Sequence, residues 1–186
     1  MILEKLRAHT KETHQALEES MLPYIKGVND TNSYTQLLRM FYGFYKPLQD
    51  QVDKYIDKTI LPDYDESRRA EWILEDLQAI HQPTNDIPLY QLPFSINSHA
   101  AALGALYVTE GSTLGGKVIC KMIATNLGKG DMEGLKFFNG YGANTSSRWK
   151  NFLLVLNAER NLHDEEVMIE SAEHVFAGFA DWLKKS

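Results

Sequence analysis

Two groups of residues could do chemistry in this chain. The first centres on His14. On a helical wheel turning about 100° per residue, Leu3, Leu6, Thr10, Leu17 and Met21 all fall within about 80° of it. That places His14 on the buried stripe of an N-terminal helix. An unpaired buried imidazole costs stability, so it needs a hydrogen-bond partner or a metal. Arg7 lies about 20° from His14 and Lys11 about 60°, so an anionic group bound on this face would be neutralised. A core histidine held by a backbone carbonyl satisfies the same pattern.

The second group is Gly111-Ser112-Thr113-Leu114-Gly115-Gly116, set inside a helical pattern. An interior glycine costs roughly 1 kcal/mol relative to alanine, so three cost on the order of 3 kcal/mol. Gly111 and Gly115 are four apart and share one helix face. A face without side chains admits close approach, by a packed helix or by a flat ligand lying on the backbone. The adjacent pair Gly115-Gly116 also favours a bend, which frees carbonyls for a ligand or water.

The elements that must position these groups read as helices. Three-and-four spacing runs through residues 2–20. It recurs over 33–57 through Tyr34, Leu37, Leu38, Phe41, Tyr45, Leu48, Val52 and Ile56, with Asn32 or Thr31 as the cap. Pro47 predicts a kink or break near Phe44. A shorter helix fits 66–80, and Pro83, Pro88 and Pro93 mark 82–94 as a loop. A long helix fits 98–126, an irregular glycine-rich segment 128–144, and two further helices 145–158 and 164–184. No stretch alternates with period two between turn signals, so the expected fold is all-α, a single domain over 1–186.

The chain has 186 residues, 44% of them hydrophobic and 24% charged, enough to form a core without staples. One cysteine, Cys120, excludes an internal disulfide framework and a thiolate zinc site. A net charge of -6 disfavours non-specific binding to nucleic acid and to anionic membrane surfaces. The N-terminus has no signal-peptide pattern, and the most apolar run, Ala100 to Val108, is too short to span a bilayer. The expected location is the cytoplasm.

Two of these segments resemble one family when taken together. The run from Ala105 to Gly116, ALYVTEGSTLGG, resembles the distal helix of bacterial heme oxygenases, and Leu6 to Glu18, LRAHTKETHQALE, resembles their proximal helix. Phe137-Phe138-Asn139-Gly140-Tyr141-Gly142, running on to Trp149, resembles the branch found beside bacterial phytochromes. The resemblance implies that His14 is the axial iron ligand. It implies that Gly111 and Gly115 let the distal helix lie over the porphyrin face, and that Arg7 and Tyr107 contact heme propionates. Ser112 stands where mammalian members carry an aspartate that orders distal water; the resemblance places it with Gly111 and Gly115 among the catalytic positions and leaves open which group holds that water. Arg148 and Lys150 lie near a second basic cluster and read equally well as solvated helix surface.

The implied reaction is oxidative opening of heme to biliverdin, CO and ferrous iron. It uses O2 and electrons from a ferredoxin, flavodoxin or reductase, with a bacteriophytochrome as a possible acceptor of the biliverdin. Glu18, about 40° from His14 on the wheel, is the expected acceptor for the free imidazole nitrogen. Two other functions fit the same residues. One is a heme carrier or sensor without turnover. The other is a non-heme di-iron oxidase of the same fold, drawing on His14, Glu18, Glu110 and the i, i+4 pair Glu170 and His174. His9, rotated about 140° from His14, is expected on the surface, and His163 and His174 as surface or core residues.

Overall fold

The apolar run after Ser98 forms the central helix. In a computed structural model that describes residues 1–128, 130 and 133–185, it is α5 (His99–Gly111), capped where Ser98 Oγ accepts the Ala101 N–H at 3.1 Å. α5 packs along the C-terminal helix α9 (Glu165–Lys185). Gly104 makes this approach possible, since a Cβ there would overlap the Met168 backbone. Ser171 Oγ donates to the Ala101 carbonyl at 2.6 Å across the same seam.

α3 (Thr31–Val52) is capped by Asp30, ahead of both expected caps, because Asp30 accepts the Ser33 N–H at 2.7 Å, and it ends five residues short of the expected 57. The expected break near Phe44 does not occur. Pro47 cannot donate to the carbonyl of Gly43, but the Tyr90 N–H does so at 2.8 Å. The proline-rich segment over 82–94 therefore crosses α3 as a strap. Gly43 is required beneath it, because a Cβ there would overlap the Pro88 carbonyl and the Trp182 ring. From α3, Phe44 stacks on Phe179 at 4.4 Å and Phe41 meets Phe137, Phe138 and Phe179 edge-on, making an aromatic centre for the core.

The N-terminal helix expected over 2–20 is two helices, α1 (Ile2–His9) and α2 (Lys11–Lys26), interrupted at Thr10. Buried Thr10 Oγ1 donates back to the Leu6 carbonyl at 2.8 Å, the kind of hydroxyl competition that bends helices. The long helix expected over 98–126 is likewise divided, at Ser112, into α5 and α6 (Thr113–Asn126). The break is not at Gly115-Gly116. Ser112 Oγ donates to Thr109 O at 2.8 Å and Thr113 Oγ1 to Glu110 O at 2.6 Å, so hydroxyls rather than glycines interrupt the ladder.

α4 (Glu71–Ala79) starts later than expected, after a 3₁₀ turn at Tyr64–Glu66 and an extended Ser67. The glycine-rich segment holds one short helix, α7 (Lys136–Asn139), and a 3₁₀ turn at Gly142–Asn144; its residues 129, 131 and 132 lie outside the described residues. Asp76 on α4 anchors α7, accepting the Lys136 N–H at 2.7 Å and the Phe137 N–H at 2.8 Å. α8 (Thr145–Leu156) and α9 complete the chain. Among the described residues there is no strand, and no helix is long and apolar enough to cross a membrane.

Candidate active site

The two interrupted helices face each other across a cavity of about 370 Å³. His14, Leu17 and Met21 of α2 form one wall, and Val108, Gly111 and Gly115 of α5 and α6 form the other. His14 is not buried as the wheel predicts: 53% of its side chain is exposed. Leu6 and Leu17 on the same stripe are buried, whereas the surface opposite His14 is the open cavity. The imidazole lies 5.0 Å from the Phe176 ring, with Nε2 3.3 Å from the Glu18 carboxylate. No backbone carbonyl holds it among the described residues. Glu18 faces one ring nitrogen, Nε2, and leaves Nδ1 for a ligand.

The three glycines separate into two kinds. At Gly116 a Cβ would overlap the Phe138 carbonyl, so this glycine serves the packing of α6 on α7. At Gly115 a Cβ would meet no atom within 4 Å, and at Gly111 only the edge of Trp149, at 3.6 Å. Nothing in the protein requires glycine at 115. Together Gly111 and Gly115 leave a bare strip of backbone facing His14, the shape that admits a flat ring system between them.

The polar groups at this strip come from elsewhere in the chain. Arg68, just before α4, reaches Ser112 Oγ at 2.5 Å, Thr109 O at 2.6 Å and the Tyr45 hydroxyl at 3.2 Å. Its guanidinium lies over the Phe137 ring at 4.5 Å. Tyr45 Oη is 3.3 Å from Ser112 Oγ. Because Ser112 gives its own proton to Thr109 O, it acts as an acceptor for Arg68 and Tyr45. Arg68 and Tyr45 are therefore the donors around Ser112. The single sequence shows nothing that separates Tyr45 from the core face of α3, or Arg68 from the neighbouring Arg69.

Glu110, on α5, is buried, and its carboxylate accepts the Tyr141 hydroxyl at 2.9 and 3.0 Å. Burial raises its pKa above the usual carboxylate range, against the pull of Arg68, the Tyr141 bond and Arg148. Burial, and then Glu110, push the Tyr141 hydroxyl up to about 12.

Arg7 is exposed and Tyr107 half-buried, and both line the cavity. Arg7 has no carboxylate partner among the described residues. Lys11 is exposed in the groove just outside. Arg148 does not join them: it pairs with Asp63 at 3.1 Å and Glu66 at 3.6 Å, and Lys150 is solvated. His9 and His163 are exposed, and His174 stacks on Phe94 at 5.7 Å. His99 opens α5, with both ring nitrogens buried and unpartnered. Among the described residues no three His, Cys, Asp or Glu side chains gather as a metal site, so Glu110, Glu170 and His174 assemble no di-iron set with His14.

The chain and its fold both match known proteins over most of their length. The heme oxygenase family model matches residues 1–185. A heme oxygenase from Xanthomonas campestris pv. campestris (strain 8004) is 29% identical over 157 residues, covering 83% of this chain and 90% of the relative. The fold matches heme oxygenase from Leptospira interrogans with a TM-score of 0.77 at 19% identity, over 100% of this chain and 99% of the other. It also matches heme oxygenase-1 from the cyanobacterium Synechocystis sp. PCC6803, solved in complex with heme, with a TM-score of 0.74 at 18% identity, over 99% and 91%. An all-helical chain that matches the family model from end to end belongs to the heme oxygenase family.

Proposed function

We propose that this protein binds heme between α2 and the α5–α6 break, with His14 as axial ligand, and opens the macrocycle to biliverdin, CO and ferrous iron. One observation carries the reading: an exposed imidazole stands across an apolar cavity from a strip of glycine that no protein contact explains. Neutral imidazole suits iron, and Glu18 is in place to accept the second ring N–H and fix the ring. When bound, heme supplies both the iron that takes up O2 and the carbon skeleton that is oxidised.

The chain supplies position and polarity. Gly111 and Gly115 bring backbone close to the ring face. No side chain there is a histidine, cysteine or methionine, which leaves the position opposite His14 open. Arg68 and Tyr45 direct N–H and O–H donors at Ser112 on the edge of that open position, the acid–base polarity that distal proton delivery requires. Arg7 and Tyr107 on the rim match the carboxylates of the substrate. Electrons come from an external donor, a ferredoxin, flavodoxin or reductase.

The test is to add hemin to the purified protein, then a reductant in air. A Soret band that gives way to a biliverdin spectrum is expected. A Soret band that persists means heme carriage without turnover, and no Soret band rejects the heme site. His14→Ala should lose the ligated-heme spectrum, and an unchanged spectrum would sink the axial assignment.

A further inference from the structure

Glu110 is the buried acid of α5. It does not border the cavity but a separate void of about 30 Å³ behind α5, room for one water molecule. Two residues, Tyr45 and Arg68, line both spaces and form the partition between them. Glu110 reaches that partition by a hydrogen-bonded chain. Its carboxylate accepts the Tyr141 hydroxyl, and the Tyr141 oxygen accepts the backbone N–H of Arg68 at 2.7 Å.

Charge points the same way. Arg148 is matched by Asp63 and Glu66. Arg68 has no carboxylate in ion-pair range among the described residues, and its side chain is held only by neutral oxygens and aromatic rings. The charges acting on Glu110 are those of Arg68, Arg148 and Asp63, and Tyr141 is bonded to it; Tyr64 and Arg69 share its void, with Arg69 paired to Asp53. Asp63 is committed to Arg148, so Glu110 is the buried acid whose charge is available to Arg68.

We propose that Glu110 is a positioning residue: through Tyr141 it fixes the peptide of Arg68, and by its charge it balances the Arg68 guanidinium, so setting how strongly the cavity holds an anion at the heme iron. This rests on the heme reading above. It separates two effects that a merely structural contact would not. Glu110→Gln keeps the shape and removes the charge, leaving Arg68 uncompensated, so anion affinity rises. Tyr141→Phe keeps the carboxyl and removes the anchor, so Arg68 loosens and anion affinity falls. A unit charge about 10 Å away, at an effective dielectric of about 20, changes such an equilibrium roughly tenfold.

The experiment is a sodium fluoride titration of the ferric heme-loaded protein, read by absorbance between pH 6 and 8. Glu110→Gln should bind fluoride roughly tenfold more tightly than wild type at pH 8. Tyr141→Phe and Arg68→Gln should bind it more weakly, and the effect of Glu110→Gln should shrink on an Arg68→Gln background. Equal fluoride affinity in wild type and Glu110→Gln across this range overturns the proposal, as do shifts of one sign in both Glu110→Gln and Tyr141→Phe. If Glu110→Gln does not fold, Tyr141→Phe decides by weakened or unchanged fluoride binding at an unchanged melting temperature. A wild-type protein without a Soret band rejects the heme reading instead, before fluoride is added.

Discussion

Gly115 and Gly116 are neighbours in sequence and opposites in structure, which makes alanine at each a sharp test of the cavity. Both lie inside α6, where alanine is favoured over glycine by up to about 1 kcal/mol. At Gly115 the added methyl meets no atom within 4 Å, so the whole gain is kept. For a chain of this length that raises the melting temperature of the heme-free protein by about 2–4 °C. At Gly116 the methyl would overlap the Phe138 carbonyl, which belongs to a backbone held by Asp76 and cannot swing aside. Overpacking of this kind costs about 1–3 kcal/mol, so the melting temperature falls by several degrees. Hemin binding should move in the reverse order for Gly115. Its methyl, harmless to the empty fold, stands on the face where a porphyrin would lie, and Gly115→Leu fills that space further. Thermal melting by circular dichroism and hemin titration by Soret absorbance give the two readings on the same samples. The reasoning fails if Gly115→Ala destabilises the heme-free protein as Gly116→Ala does. It fails equally if Gly115→Leu binds hemin as wild type does.

Two further outcomes follow from the same structure. Burial raises Asp76 from 3.8 to about 6, overcoming its two backbone N–H bonds. A carboxyl that is raised on folding contributes stability below its unfolded pKa, and that contribution is lost as pH rises through the folded value. Wild type should therefore gain stability relative to Asp76→Asn as the pH falls from about 6 to about 4, measured by urea unfolding; parallel curves would refute the shift. Arg7→Ala should weaken hemin binding about two- to fivefold, the worth of an exposed ion pair, and the difference should shrink at high salt. A salt-independent difference would mean that Arg7 acts by packing.

The sequence carries much of the scaffold and a smaller part of the site. The helical stripes are legible because apolar spacing reports burial directly, and α3, α8 and α9 lie close to where that spacing puts them. Helix interruptions are less legible. Pro47 signals a break that the Tyr90 N–H removes, whereas Thr10 and Ser112 give little local warning of the breaks they make. The wheel places His14 on the right face but cannot tell a packed face from one that borders a cavity, since both select the same angle. Glycine spacing finds the bare strip, yet only packing separates Gly116, pressed by Phe138, from Gly115, which touches nothing.

What the motifs conceal most is where the polarity of the cavity originates. A position occupied by serine on the cavity wall suggests a hydroxyl donor. Ser112 has already given its proton to the Thr109 carbonyl, as part of the same back-bonding that divides α5 from α6. The interruption that opens the backbone toward the cavity thus removes Ser112 as a donor and turns its oxygen into an acceptor. Donors must then arrive from outside the motif, from α3 through Tyr45 and from the segment before α4 through Arg68. Both are held from behind, Tyr45 against Phe137 and Arg68 through Tyr141 and Glu110. The chemistry of the site is therefore coupled to the packing of α7 and of the turn at Gly142–Asn144. A substitution there that leaves His14 and the glycines untouched should still alter what the cavity does to a bound anion.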